Sequence, residues 1–147
     1  MSKYRALYHI VFATKHRQRT IPPEHKRELY AYIYGIIKNK NCQLLRMNGV
    51  EDHVHILMNL HPSIALANLI RDIKLQSGNW MKSNPDFADF QGWADGYYAF
   101  TLDESNVEKC KLYIINQELH HKKSNLIDEM ERLSSAHNVS WDIRDWA

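Results

Sequence analysis

Two histidines separated by one residue, His53 and His55, lie in the run Glu51-Asp52-His53-Val54-His55-Ile56-Leu57. Side chains on a strand alternate between faces, so both imidazoles project the same way and their ring nitrogens can converge on one ion. Val54, Ile56 and Met58 then point oppositely, into apolar packing. Glu51 is in phase with the histidines and Asp52 is out of phase. A metallohydrolase built on this pair would take Glu51 as its third ligand, since hydrolytic metal sites combine histidine with carboxylate. No HExxH motif accompanies it. The adjacent pair His120-His121 would diverge by about a hundred degrees on a helix and chelates poorly.

A second group lies between Ser105 and Lys123, where Ser105 and Glu108 have the spacing of a capping box. At helical periodicity Val107, Cys110 and Ile114 fall on one side and Leu112, Ile115 and Leu119 on another. Tyr113 belongs to neither and shares a polar arc with Asn106, Lys109, Asn116, Gln117 and His120. Gln117 follows it by one turn, which puts the amide and the phenol on one surface. A phenol is mostly protonated at neutral pH and a phosphodiester is a poor electrophile until its charge is offset. Held by His53, His55 and Gln117 with positions left open, a divalent ion would offset that charge and orient the phosphorus for attack by Tyr113. The product, a phosphotyrosine, would keep the bond energy for rejoining.

The elements that must position these groups are legible as periodicity. Tyr4, Ala6, Tyr8, Ile10 and Phe12 share one face of a first strand, and Arg5, Leu7, His9, Val11 and Ala13 the other. Pro22-Pro23-Glu24 can open a helix carrying Leu29, Ile33, Ile36 and Ile37. Alternation from Cys42 to Leu60, interrupted at Asn48-Gly49, a dipeptide suited to a turn or a bulge, predicts two strands joined by a tight turn. Ser63 can cap a helix with the stripe Leu66, Leu69, Ile70, Ile73, Ser77, Trp80 and Met81. Residues 84–96 read as loop and Gly96 to Thr101 as a strand. The helix from Ser105 runs to about Lys123, and a further amphipathic segment carries Leu126, Ile127, Met130 and Leu133. The order predicts an α+β fold: an antiparallel sheet with helices packed on it, ferredoxin-like.

The chain has 147 residues, 44% hydrophobic and 24% charged, which suits one domain able to bury a core without disulfides. That domain spans 1–147, with a core over 1–123 and a C-terminal helix and tail over 124–147. Cys42 and Cys110 lack paired spacing and suit a reducing cytosol. The N-terminus does not read as a signal peptide. No run approaches the roughly 18 apolar residues of a membrane span. Net charge is +2, yet residues 1–46 carry ten Lys or Arg against Glu24 and Glu28 alone. That basic third is a plausible footprint for a phosphate backbone, with Lys15, Arg17 and Arg19 its densest loop and Arg5 and Lys74 weaker candidates. A non-catalytic nucleic-acid-binding module, stacking bases on Tyr8, Phe12 and Tyr97, is the alternative from another class.

His53-Val54-His55 resembles the His-hydrophobe-His signature of the HUH nucleases. Tyr113-Ile114-Ile115-Asn116-Gln117 followed by His120-His121-Lys122-Lys123 resembles the catalytic helix of the single-tyrosine IS200-like transposases, including those associated with palindromic repeats. Tyr8-His9-Ile10-Val11-Phe12 with Thr14-Lys15, and Gly96-Tyr97-Tyr98-Ala99-Phe100, are similar to further blocks of that family. The resemblance reaches to about Lys123 and fits the tail Trp141-Asp142-Ile143-Arg144-Asp145-Trp146 less well. It implies Tyr113 as nucleophile, His53, His55 and Gln117 as ligands of Mg2+ or Mn2+, and cleavage that leaves a 5′-phosphotyrosine and a 3′-OH. It further implies single-stranded, hairpin-forming DNA as substrate in the cytoplasm. A homodimer is expected, in which the tyrosine helix of one subunit completes the histidine site of the other.

Overall fold

The computed structural model describes residues 2–142 and 144–146. Strand β1 (Leu7–Ala13), helix α1 (Lys26–Asn39), strands β2 (Gln43–Val50) and β3 (His53–Asn59), helix α2 (Leu66–Lys82) and strand β4 (Tyr98–Thr101) follow in order. The strands form one antiparallel sheet in the order β2-β3-β1-β4. A βαββαβ chain with its first and third strands central is the ferredoxin-like arrangement. The α+β expectation therefore holds.

Strand alternation sorts the side chains to two faces, and both are covered. Ile10, Phe12, Val54, Ile56 and Met58 meet Leu29, Ile33 and Ile37 of α1 and Leu69, Ile70 and Ile73 of α2 in the main core. The opposite face carries helices α3 (Val107–Ile115), α4 (Gln117–His120) and α5 (Leu126–Ala136). There Leu7 and Leu57 pack with Val107 and Ile114, while Val11, Ala13 and Phe100 pack with Leu126, Met130 and Trp146. The histidines of β3 occupy this second face, under the helices.

Local structure departs from periodicity where a tertiary contact outweighs it. The hairpin turn is Glu51-Asp52, and Asn48-Gly49 lies inside β2, with Gly49 opposite Val54. A Cβ at Gly49 would overlap the His53 carbonyl oxygen, so the glycine serves a close strand approach and not a turn. Ser63 bonds His61 Nδ1 at 2.7 Å instead of capping α2, whose N-cap is Ala65. Pro22 and Pro23 precede a turn, and α1 starts at Lys26. The capping box at Ser105 is not made: a 3-10 turn over Glu104–Asn106 leads into α3, and Asn106 makes no side-chain cap. The predicted continuous helix breaks at Asn116 (φ −90°, ψ 19°), which starts α4 at Gln117.

Candidate functional site

Pairing of β1 with β3 sets His55 opposite Val11 and His53 opposite Ala13, which puts both imidazoles at the buried end of the hairpin. Both are fully buried. A charged imidazole is costly there unless partnered, and each ring is bonded on both nitrogens. Nδ1 of His53 donates to Asp52 Oδ1 at 2.7 Å, while its Nε2 faces Gln117 Oε1 at 3.1 Å and Glu129 Oε1 at 3.1 Å. Nδ1 of His55 meets His9 Nε2 at 2.7 Å, and its Nε2 faces the same Glu129 oxygen at 3.2 Å. The outer bonds fix the rings so that both Nε2 atoms turn inward.

The helices close the site from above. Gln117, the first residue of α4, is fully buried, with its Nε2 donating to Glu129 Oε2 at 2.9 Å. The Tyr113 hydroxyl donates to the same carboxylate oxygen, and the phenol ring lies 5.7 Å from the His55 ring and 6.0 Å from that of His9. His121 Nε2 reaches Glu129 Oε1 at 3.0 Å, whereas the His120 ring packs on Tyr113 at 4.8 Å, so the adjacent pair does diverge. One chain thus gathers Tyr113, His53, His55 and Gln117.

Several members of the site are not apparent from motif spacing. Glu129 comes from α5 and takes the carboxylate place that a metallohydrolase would have given Glu51; Glu51 itself sits in the hairpin turn, where strand phase no longer governs direction. Its signal was available, because Leu126, Glu129, Met130 and Leu133 share one helical stripe. A carboxylate on an apolar stripe requires a buried partner. Asp52, out of phase on a strand, lies in the same turn and for that reason can reach back to His53. His9 shares the phase of Leu7 and Val11 on the site face.

The electrostatics follow from this crowding. Burial opposes the His53 cation, but the hydrogen bonds and charges of Asp52 and Glu129 lift its pKa to about 9. Burial pushes His55 and His9 downward, His9 the further, with the neighbouring His55 adding to it. Burial would raise the Glu129 carboxyl, yet His55 and the bonds from His121 and His53 hold it far below the carboxylate range. Burial and the Glu129 charge push the Tyr113 phenol up. Such a phenol needs help to attack.

The donor set fits a divalent ion: imidazole nitrogens, a carboxylate and an amide oxygen meet. The ligating atoms of His53, His55 and Glu129 lie within 4.8 Å of one another. Cavities flank this cluster on two sides. One of about 510 Å³ is lined by Arg19, Asp52, Glu118, His121, Lys122 and Lys123. Another of about 550 Å³ opens on Tyr113 beside His9, Asn106, Lys109 and His137. Lys15 and Arg17 line neither; they form a 3-10 turn after β1, with Lys15 exposed. Arg5 is paired with Glu104 at 2.6 Å, and Lys74 donates to the carbonyls of Ala94 and Gly96 at 2.6 and 2.9 Å. Phe12 is fully buried against Trp93, which closes it to base stacking, while Tyr8 and Tyr97 pack on the same core.

Among the described residues no helix is long and apolar enough to cross a membrane. The chain is 26% identical over 123 residues to the transposase for insertion sequence element IS200 of Salmonella typhimurium, covering 79% of each. It is 24% identical over 119 residues to the ISDra2 transposase TnpA of Deinococcus radiodurans, covering 78% of this chain and 85% of that one. Its fold matches a REP-associated tyrosine transposase solved bound to a REP hairpin, with a TM-score of 0.64 at 14% identity, over 100% of this chain and 92% of the other. The sequence profile described as "Transposase IS200 like" matches residues 2–117, nearly four fifths of the length, and the chain therefore belongs to the IS200-like transposase family.

Proposed function

We propose that this transposase cleaves and rejoins single-stranded DNA through a 5′-phosphotyrosine at Tyr113, with a divalent metal, Mg2+ or Mn2+, held by His53, His55 and Gln117. One observation carries the reading: the Tyr113 hydroxyl and the inward Nε2 atoms of His53 and His55 bond the two oxygens of the same carboxylate. The nucleophile and the ligands therefore share one small volume. The ion would offset the charge of the scissile phosphate. Tyr113 Oη forms the bond to phosphorus as the bond to the 3′-oxygen breaks. The phenol proton leaves through the hydrogen bond that already holds it, and the departing 3′-oxygen takes up a proton to become the 3′-OH. His9 and Asp52 act from behind the ligands by fixing ring orientation.

The DNA partner is supported by the hairpin-bound structural relative and by the basic loop holding Lys15, Arg17 and Arg19, of which Arg19 reaches the rim of the site. Assembly as a homodimer with sites completed in trans belongs to the same proposal, with Tyr113 then taking in a second copy's site the place it holds beside its own His53 and His55 here. It is supported by the exposed apolar residues Leu112, Ile115 and Leu119 beside the outer strand β2.

Incubation with hairpin-bearing single-stranded DNA and Mn2+, followed by denaturing electrophoresis, should give a covalent adduct that Tyr113→Phe and chelation each abolish. An adduct persisting in Tyr113→Phe would refute the assignment. Mixing Tyr113→Phe with His55→Ala distinguishes the geometries: completion in trans restores an adduct that neither variant forms alone. A non-catalytic module would give no adduct under any condition while still binding the hairpin.

A further inference from the structure

The group at the centre of the site accepts the Tyr113 hydrogen bond but has no place among the metal ligands as proposed. Glu129 is 1% exposed, and it lies beyond the residues 2–117 that the family profile matches. Its two oxygens divide their partners. Oε1 stands 3.1 Å from Nε2 of His53 and 3.2 Å from Nε2 of His55. Oε2 accepts from the Tyr113 hydroxyl and from Gln117 Nε2.

We propose that Glu129 is itself a metal ligand and the residue that couples the ion to the nucleophile, with Oε1 bound beside His53 and His55 and Oε2 holding the Tyr113 hydroxyl. The inference rests on the metal-dependent reading above. Two neighbouring ligands around an octahedral ion with bonds of about 2.1 Å are separated by about 3 Å. The His53 and His55 separations from Oε1 have that value, so an ion could replace the hydrogen bonds with little movement of the three side chains. A buried carboxylate that served packing alone would be better replaced by an apolar residue. Nothing apolar would bridge three imidazoles, an amide and a phenol. Gln117 then takes a double part, with its Oε1 turned to His53 and its Nε2 anchored on Glu129.

Coupling through one carboxylate has a geometric consequence. With Oε1 fixed by the ion, Oε2 aims the phenol oxygen toward the face where a bound phosphate would lie. Glu129 would thus set the position of the nucleophile by the same bond that sets the metal.

The test is a Mn2+ titration of the metal-free full-length protein, read by the electron paramagnetic resonance of free Mn2+. Glu129→Gln should weaken binding at least tenfold, with Glu129→Asp between it and the wild type. Binding by Glu129→Gln within twofold of wild type, while His55→Ala loses it, overturns this proposal and leaves the His53–His55 reading standing. Absence of Mn2+ binding by the wild type overturns both. Should Glu129→Gln fail to fold, wild-type crystals soaked in Mn2+ decide: a Glu129 oxygen within about 2.3 Å of the ion supports the assignment. A carboxylate left outside the coordination shell refutes it.

Discussion

Asp52 accepts a hydrogen bond from Nδ1 of His53 at 2.7 Å, on the side of the ring away from the Gln117 and Glu129 oxygens. The bond selects the tautomer whose Nε2 lone pair faces the site, and it raises the donor strength of that nitrogen. Asp52→Ala should weaken Mn2+ affinity by tenfold to a hundredfold. The fold, monitored by circular dichroism, should survive, because Asp52 lies in a turn and not in the core. An unchanged titration would mean that the ring is held by packing alone.

The histidines predict a stability profile for the metal-free protein with two flanks. His53 has its pKa raised to about 9 by Asp52 and Glu129 against the cost of burial. Its contribution is therefore complete below its unfolded value and is lost as the pH climbs through about 9. His9 and His55 are depressed, chiefly by burial. The unfolded chain binds more protons there, so stability also falls as the pH drops through their unfolded value of about 6.5. Denaturant midpoints taken from pH 5 to 10 without metal should peak in between. Mn2+ must displace the His53 proton, so its affinity should rise with pH up to about 9. A flat affinity over pH 7 to 9 would exclude His53 as a ligand.

Strand and helix periodicity carries the placement of His53, His55 and Tyr113, which face the site by local geometry, whereas Gln117 reaches it from beyond the break at Asn116. The sheet architecture follows from the order of elements, read as ferredoxin-like. The remainder depends on tertiary contacts: Gly49 mimics a turn residue but admits the His53 carbonyl, and Asn116 breaks a helix whose composition continues through it. Glu129 is the instructive omission. Its position on the Leu126–Met130–Leu133 stripe marks it as buried, but only the packing of α5 on the second face supplies the three imidazoles that make burial tolerable.

The tail bears on the site through α5. Trp146 is 1% exposed and packs edge-on to Tyr98 at 5.2 Å, in one cluster with Leu126 and Met130, the residue after Glu129. The Tyr98 hydroxyl donates to Asp145 and closes this clamp. Trp146→Ala should cost about 3–5 kcal/mol, lowering the melting temperature by roughly 10 °C in a chain of this size. Because the void opens under α5, Mn2+ affinity should fall as well. A lower melting temperature with unchanged affinity would show that the tail stabilises the fold without positioning Glu129.

The basic loop can be tested through salt. Lys15 and Arg19 are exposed at the end of β1, with Arg19 on the rim of the cavity that holds Asp52 and His121. Arg17 is partly buried between them, and its terminal Nη1 has no hydrogen-bond partner among the described residues. Each phosphate contact releases counterions and adds about 0.7 to the slope of log affinity against log salt for a single strand, or about 0.9 for a duplex stem. Lys15→Ala and Arg19→Ala should each flatten that slope by about this amount, measured by fluorescence anisotropy on a labelled hairpin. The double variant should lose both increments, since two exposed side chains gripping separate phosphates act independently. If the slope stays at its wild-type value in the double variant, these cations are a solvated face, and the strand reaches Tyr113 along the other cavity, past Asn106 and Lys109.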